Sequence, residues 1–488
     1  MSAIDWLSES ATSLPVLLPL AEPEEDVTSG ITTEEITVTV LDAPTVDAAG
    51  VLTSKQTGLP RDLWSNSSPF ALNTLFSRLR PSKLPALNDI ALTLLLAEAT
   101  PPKSDGSGAK FLLARVDELI ERGALEAAGV LLDQAGTPTS ALQERKFDVA
   151  LLTGQEARAC SALKGKGNLA TRYPLRVFCL ARNGDWSAAA LTLDTARTLG
   201  EVSADEDALL ASFLDPEIAD NTPPPLGLKP DPLLFTLYDA IGEPLATGPL
   251  PLSFAHADLR ETAGWKAQLE AAERLARAGV LPANRLLGIY TNRKPSASGG
   301  VWDRARALQA FDKALSARNQ KEIVRTLPRA WKAAQAAEIE VVFAVAFSEA
   351  LSAVNLPADS AELARRIALL SPIYEEVAVA AEKLEKSSED AFLHALARGL
   401  LNDATPVGAR AEALREAWVN PVPSADLDTL AKENRLGEAL LRTLIMVEES
   451  LAGSDTKLIE ALSFLRRIGL EDVARRTAIQ IVILEPQG

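Results

Sequence analysis

The sequence predicts an all-α protein: an irregular α-solenoid of stacked helical hairpins behind an acidic leader that is extended or disordered. Three observations predict it. Apolar residues make up 47% of the 488, only 5% are aromatic, and the pool is Ala and Leu, which suits closely packed helices with small contact residues. A unit of apolar helix, basic residue beside or one away from a glycine, and second Ala/Leu-rich helix recurs four times. Its copies are LARVDELIERGALEAAGVLLDQA around Gly123, FCLARNGDWSAAALTLDTA around Gly184, AERLARAGVLPANRLLGIY around Gly279 and FLRRIGLEDVARRTAIQIVIL around Gly469. Finally, helical text of ~10–20 residues per segment with short connections fills most of the chain. Such a length exceeds one core and predicts about two to four compact units.

Residues 1–60 form the leader. They hold ten acidic side chains against one basic, Lys55, and only residues 35–41 alternate as a strand does, with Ile36, Val38 and Val40 on one face. A helical-hairpin domain is expected over 61–214. Ser68-Pro69 is a helix start, serine capping and proline at the first helical position. A second helix runs from Leu84 to Ala99 and stops at Pro101, and PPKSDGSGAK is a connector. Hairpins follow from Phe111 to about Phe213. Residues 215–232, DPEIADNTPPPLGLKPDP, are dense in proline and read as a domain linker. The second helical-repeat domain, 233–488, opens with Leu233 to Ile241. A Pro/Gly loop over 242–251, a helix from Thr262 to Ala278 and the loop 291–300 come next. Nearly continuous helix then runs from Trp302 to Leu484, punctuated at Pro328, Pro357, Pro372, Pro406 and the pair Pro421 and Pro423.

The four glycines lie 61, 95 and 190 residues apart, so no fixed repeat length emerges. The text ARNGDWSAAALTLDTA, with Gly184 at the turn and Ala188 to Ala190 opening the second helix, resembles the tetratricopeptide/Sel1-like α-solenoids. The Ala/Leu/Arg-rich texture is also similar to that of helical-repeat proteins of alphaproteobacteria. The resemblance covers about a fifth of the chain, and no copy carries the full Trp-Leu-Gly-Tyr-Ala-Phe-Pro signature. It implies a concave helical surface for proteins or peptides.

A net charge of −17 argues against a nucleic-acid partner, because phosphate recognition needs a basic surface. No stretch reaches the ~20 apolar residues needed to span a bilayer, and SLPVLLPLA is too short and too acidic in its flanks for a signal peptide. Taken as written, the chain is expected in the cytoplasm. The only cysteines, Cys160 and Cys179, flank one helix-to-helix junction with Lys164 to Asn168 at the turn. They are either two buried small hydrophobes or a disulfide, which implies an oxidising compartment and places the protein in the periplasm once a leader is supplied.

Reactive chemistry is sparse. His256 and His394 are far apart in sequence, and neither HExxH nor a GxSxG elbow is present. SxxK occurs at Ser161-Lys164 and Ser454-Lys457 without its partner motifs. Phosphate-loop and dinucleotide motifs are absent. No catalytic, cofactor or metal residue is therefore assigned. Partner contact is expected instead from Arg293, Lys294 and Trp302 in TNRKPSASGGVWDR, a basic-aromatic loop suited to gripping an acidic peptide or glycan, and from Trp64 in GLPRDLW. The expectation is a non-enzymatic scaffold or adaptor that binds another protein, as part of an envelope or motility assembly if the cysteines are bonded. Two rivals are a cell-wall enzyme with a helical substrate-handling body and a cytoplasmic regulator acting through its acidic leader.

Overall fold

The computed structural model describes residues 45–103, 109–136, 139–163, 172–215, 217, 230–384, 387–422 and 424–484. Contacts divide the chain into Met1–Ala43 and Pro44–Gly488. The first unit, with the expected strand at 35–41, lies outside the described residues, as does most of the 215–232 segment. The second unit is all-α: its described elements are helices, and its one β contact is an isolated bridge between Leu52 and Ala97.

All four glycine-centred units are helical hairpins. Lys110–Glu121 turns into Leu125–Gln134, Tyr173–Arg182 into Trp186–Leu199, Trp265–Arg277 into Ala283–Thr291, and Asp455–Arg467 into Glu471–Leu484. Gly123, Gly184, Gly279 and Gly469 stand at φ 74°, 86°, 77° and 87°, the left-handed region that glycine enters without a Cβ penalty. The residue after each glycine donates its N–H back over the turn, as Ala124 does to the Leu119 carbonyl (2.8 Å) and Leu470 to that of Leu465 (2.9 Å). That closes the last orphan carbonyls of the first helix. The same turn is also made without glycine. Arg318, Glu338 and Asn434 take φ 49°, 54° and 54°, and Asn319, Ile339 and Arg435 donate back to Ala314, Ala334 and Leu430. Glycine spacing therefore undercounts the hairpins.

Three expectations are corrected. Residues 45–60 are not part of an extended leader but pack on the helical body. Arg115, fully buried, donates to the carbonyls of Leu95 (2.8 Å), Ala97 (3.0 Å) and Ala49 (2.7 Å), while the Asp47 carboxylate accepts from Leu112 N–H (2.8 Å). Pro328 does not punctuate; it lies inside Gln320–Ala336. Its missing N–H loses one rung, and burial of Leu327, Ala330 and Trp331 around it keeps the helix continuous. Nor does the 215–232 segment separate two cores. Leu209 and Leu210 before it share a hydrophobic cluster with Leu233 and Leu237 after it, together with Phe147, Phe178 and both cysteines.

Most remaining apolar side chains join one large core. Within the unit the helices close on themselves. Pro85–Leu96 packs on Glu471–Leu484, and Pro69–Arg78 packs on Leu436–Leu451, so the first hairpins meet the last. Gln480 accepts from Ala86 N–H at 2.9 Å, and Arg476 pairs with Asp89 at 2.7 Å across that seam.

Candidate functional site

Closure brings the ends of helices distant in sequence around a cavity of about 710 Å³, within the usual size of ligand pockets. Its wall includes the start of Pro85–Leu96, the end of Trp265–Arg277, the start of Glu340–Ser352, the start of Ala409–Val419 and the ends of Leu436–Leu451 and Glu471–Leu484. Leucine, isoleucine and valine side chains supply an apolar lining. Lys83, Arg274, Arg277 and Arg410 bring four positive charges against the two carboxylates of Glu338 and Glu340. In a chain of net charge −17, this basic concentration stands out.

Two of the cations sit there for a local reason: helix C-termini favour basic residues against the negative end of the dipole, and Arg274 and Arg277 occupy the last turn of theirs. Arg277 donates to the Ala337 carbonyl (2.8 Å) and pairs with Glu338 (3.3 Å). Arg410 pairs with Asp455 (2.9 Å). Arg274 differs. Its two terminal nitrogens donate to the carbonyls of Thr247 (3.0 Å) and Leu250 (3.1 Å), which hold the guanidinium without neutralising it. Burial lowers its pKa, Asp258 opposes that, and Arg277 adds to it. The Asp258 carboxylate is engaged instead by the Thr247 hydroxyl. Neither Arg274 nor Lys83 enters an ion pair among the described residues.

Across the cavity, burial pushes the Glu340 carboxyl up to about 7, with neighbouring Glu338 adding to the shift and Arg277 opposing it. Glu338 holds a left-handed backbone where glycine is favoured, a local cost retained at the cavity wall.

A second cavity of about 440 Å³ lies on the other side of Ser82. Buried Arg122 pairs there with Glu118 (2.7 Å) and donates to the Leu79 carbonyl (2.8 Å). Asn88 holds both backbone groups of Ser82 (2.8 and 2.9 Å), whose hydroxyl donates to Glu448. Burial first, offset by Arg122, leaves the Glu118 carboxyl at about 7. Every polar group in this network has a partner, so it reads as the fastening of the seam.

The residues expected to contact a partner fare differently. Trp64 is fully buried, its ring 6.2 Å from Phe76 and 5.6 Å from Phe111, so it is a core anchor and not a contact residue. Trp302 is half-buried against Trp265 at 5.3 Å. Arg293 and Lys294 are exposed, and the loop is tied down by Gln309, which donates to the Arg293 carbonyl (2.6 Å). The structure brings none of these to the cavity. Cys160 and Cys179 are joined in a disulfide between Glu156–Leu163 and Tyr173–Arg182; the turn between them lies outside the described residues. His256 is buried with Nε2 2.6 Å from the Gly123 carbonyl, and His394 is buried in a helix. Lys457 of the second SxxK pairs with Glu449 (2.5 Å).

No group of three or more His, Cys, Asp or Glu among the described residues is arranged to hold a metal ion, and no described helix is long and apolar enough to cross a membrane. No protein-family model, curated protein or solved structure matches this chain. The cavity residues were missed in the sequence because each one, taken alone, is an ordinary helix-end charge.

Proposed function

We propose that this protein is a non-enzymatic scaffold of the tetratricopeptide/Sel1-like kind that holds a partner protein, and that a segment of the partner seats in the cavity where the first and last hairpins meet. The observation that carries the reading is Arg274: a half-buried cation, braced by two carbonyls and outside any ion pair among the described residues, beside an apolar wall. Such a group is costly unless an anion completes it. Nucleic acid is set aside as the partner because the surrounding chain is acidic. The bonded cysteines support an oxidising compartment, hence the envelope side of a cell.

Affinity capture from the native host tests it. The wild-type chain is expected to enrich a specific protein that the double variant Lys83→Glu/Val342→Arg, altered at the partly open wall, does not. Equal recovery with both would place the partner elsewhere on the surface. No enrichment over an unrelated acidic helical protein would remove the scaffold reading. Thiol titration of the native protein checks the compartment, with no free thiol expected.

A further inference from the structure

We propose that the cavity is a receptor for a single carboxylate carried on an aliphatic peptide, namely the C-terminal residue of the partner, with Arg274 as the group that binds it. This rests on the scaffold reading and specifies what is held. Charge comes first. Of the four basic side chains on the wall, Arg277 and Arg410 are already paired with Glu338 and Asp455, which leaves Arg274 and Lys83. A guanidinium has five N–H donors; the Thr247 and Leu250 carbonyls take one from each terminal nitrogen of Arg274. These bonds fix the plane of the fork and leave donors free for a carboxylate, the geometry in which arginine binds best.

The ligand carries one negative charge, not several. Glu338 and Glu340 share the wall, so a run of acidic side chains would meet like charge at close range. The rest of the ligand is aliphatic, because Leu84, Leu252, Ile339, Val341, Leu451 and Leu484 line the remaining surface. Aliphatic side chain and terminal carboxylate occur together at a peptide's last residue, and capture of that terminus is a recurring mode of peptide recognition.

Fluorescence polarisation with the full chain tests this. The probes are a fluorescein-labelled Ala-Ala-Ala-Ala-Val-Leu peptide with a free carboxylate and the same peptide as its C-terminal amide, with unlabelled decanoate as competitor. The free acid is expected to bind saturably and the amide about tenfold more weakly. Arg274→Met is expected to erase that difference, and Lys83→Met to weaken the acid alone. Because Arg274 also braces residues 247–250, circular dichroism accompanies the variant. If it does not fold, Arg274→Lys replaces it and is expected to narrow the acid/amide ratio, since an ammonium cannot offer the fork. Equal binding of acid and amide to the wild type overturns the proposal, as does an unchanged ratio in the folded Arg274 variant. Decanoate binding through Arg274 with no peptide bound overturns it in favour of a free fatty acid. If no probe binds while partner capture still depends on Lys83 and Val342, this proposal falls and the scaffold reading stands.

Discussion

Arg115 shows how much one side chain holds in place. It sits in the apolar stripe of its helix with Leu112, Val116 and Leu119, all buried, and it satisfies carbonyls from two separate stretches of chain, at Ala49 and at Leu95 and Ala97. Replacing it with methionine fills the space but orphans those carbonyls; a loss of about 3 kcal/mol or more is expected in urea unfolding. Glu338 makes the opposite case. Glu338→Gly relieves the left-handed backbone and is expected to raise stability by about 1 kcal/mol, read from the midpoint of urea unfolding. Titration adds a third. The Glu118 and Glu340 carboxyls stand at about 7 in the fold, above the ordinary carboxylate value near 4.5. Between those limits the folded state binds more protons than the unfolded chain, so stability falls as pH rises from about 4.5 to 7 and is level above it. Glu340→Gln is expected to flatten part of that fall in thermal melts taken across the window. None of these roles was written in the residue type: an arginine in an apolar stripe was visible in LARVDELIERG, but the carbonyls it reaches were not.

Hairpins are the unit in which sequence and structure agree best, since a helical period followed by glycine is a local signal. Where the turn uses Arg318, Glu338 or Asn434, the local signal is lost, because the left-handed residue is imposed by packing on both sides. Close packing also sets Gly437, buried inside Leu436–Leu451. A Cβ there would stand 2.4 Å from the Trp64 ring and 2.8 Å from the Leu63 carbonyl oxygen. Gly437→Ala is therefore expected to cost about 1–3 kcal/mol by overpacking, read from the shift in melting temperature. The disulfide acts on the hairpin that carries the smaller core. It closes a loop of 19 residues, and cutting it with Cys160→Ala/Cys179→Ala is expected to cost about 3 kcal/mol by freeing the unfolded chain, measured by urea unfolding of the bonded protein against the variant.

From Pro44 to Gly488 the decisive event is closure, and it concerns residues nearly 400 positions apart. Arg476 meets Asp89 and Gln480 meets the Ala86 amide; Asn66 donates to the Glu433 carbonyl at 3.1 Å, and Gly437 N–H to that of Leu63 at 3.0 Å. A chain ending at Leu470 loses Glu471–Leu484 and uncovers the apolar face of Pro85–Leu96. Limited proteolysis is expected to cut such a chain within residues 85–96 at protease levels the full chain resists. The all-α class and the four glycine turns were determined by the sequence alone, because helical periodicity and left-handed glycine are properties of neighbouring residues. The packing of residues 45–60, the shared core across 215–232 and the cavity with Arg274 were decided only by tertiary structure. Each depends on which distant helix ends meet, and a charge at a helix end carries no mark of the partner it will face.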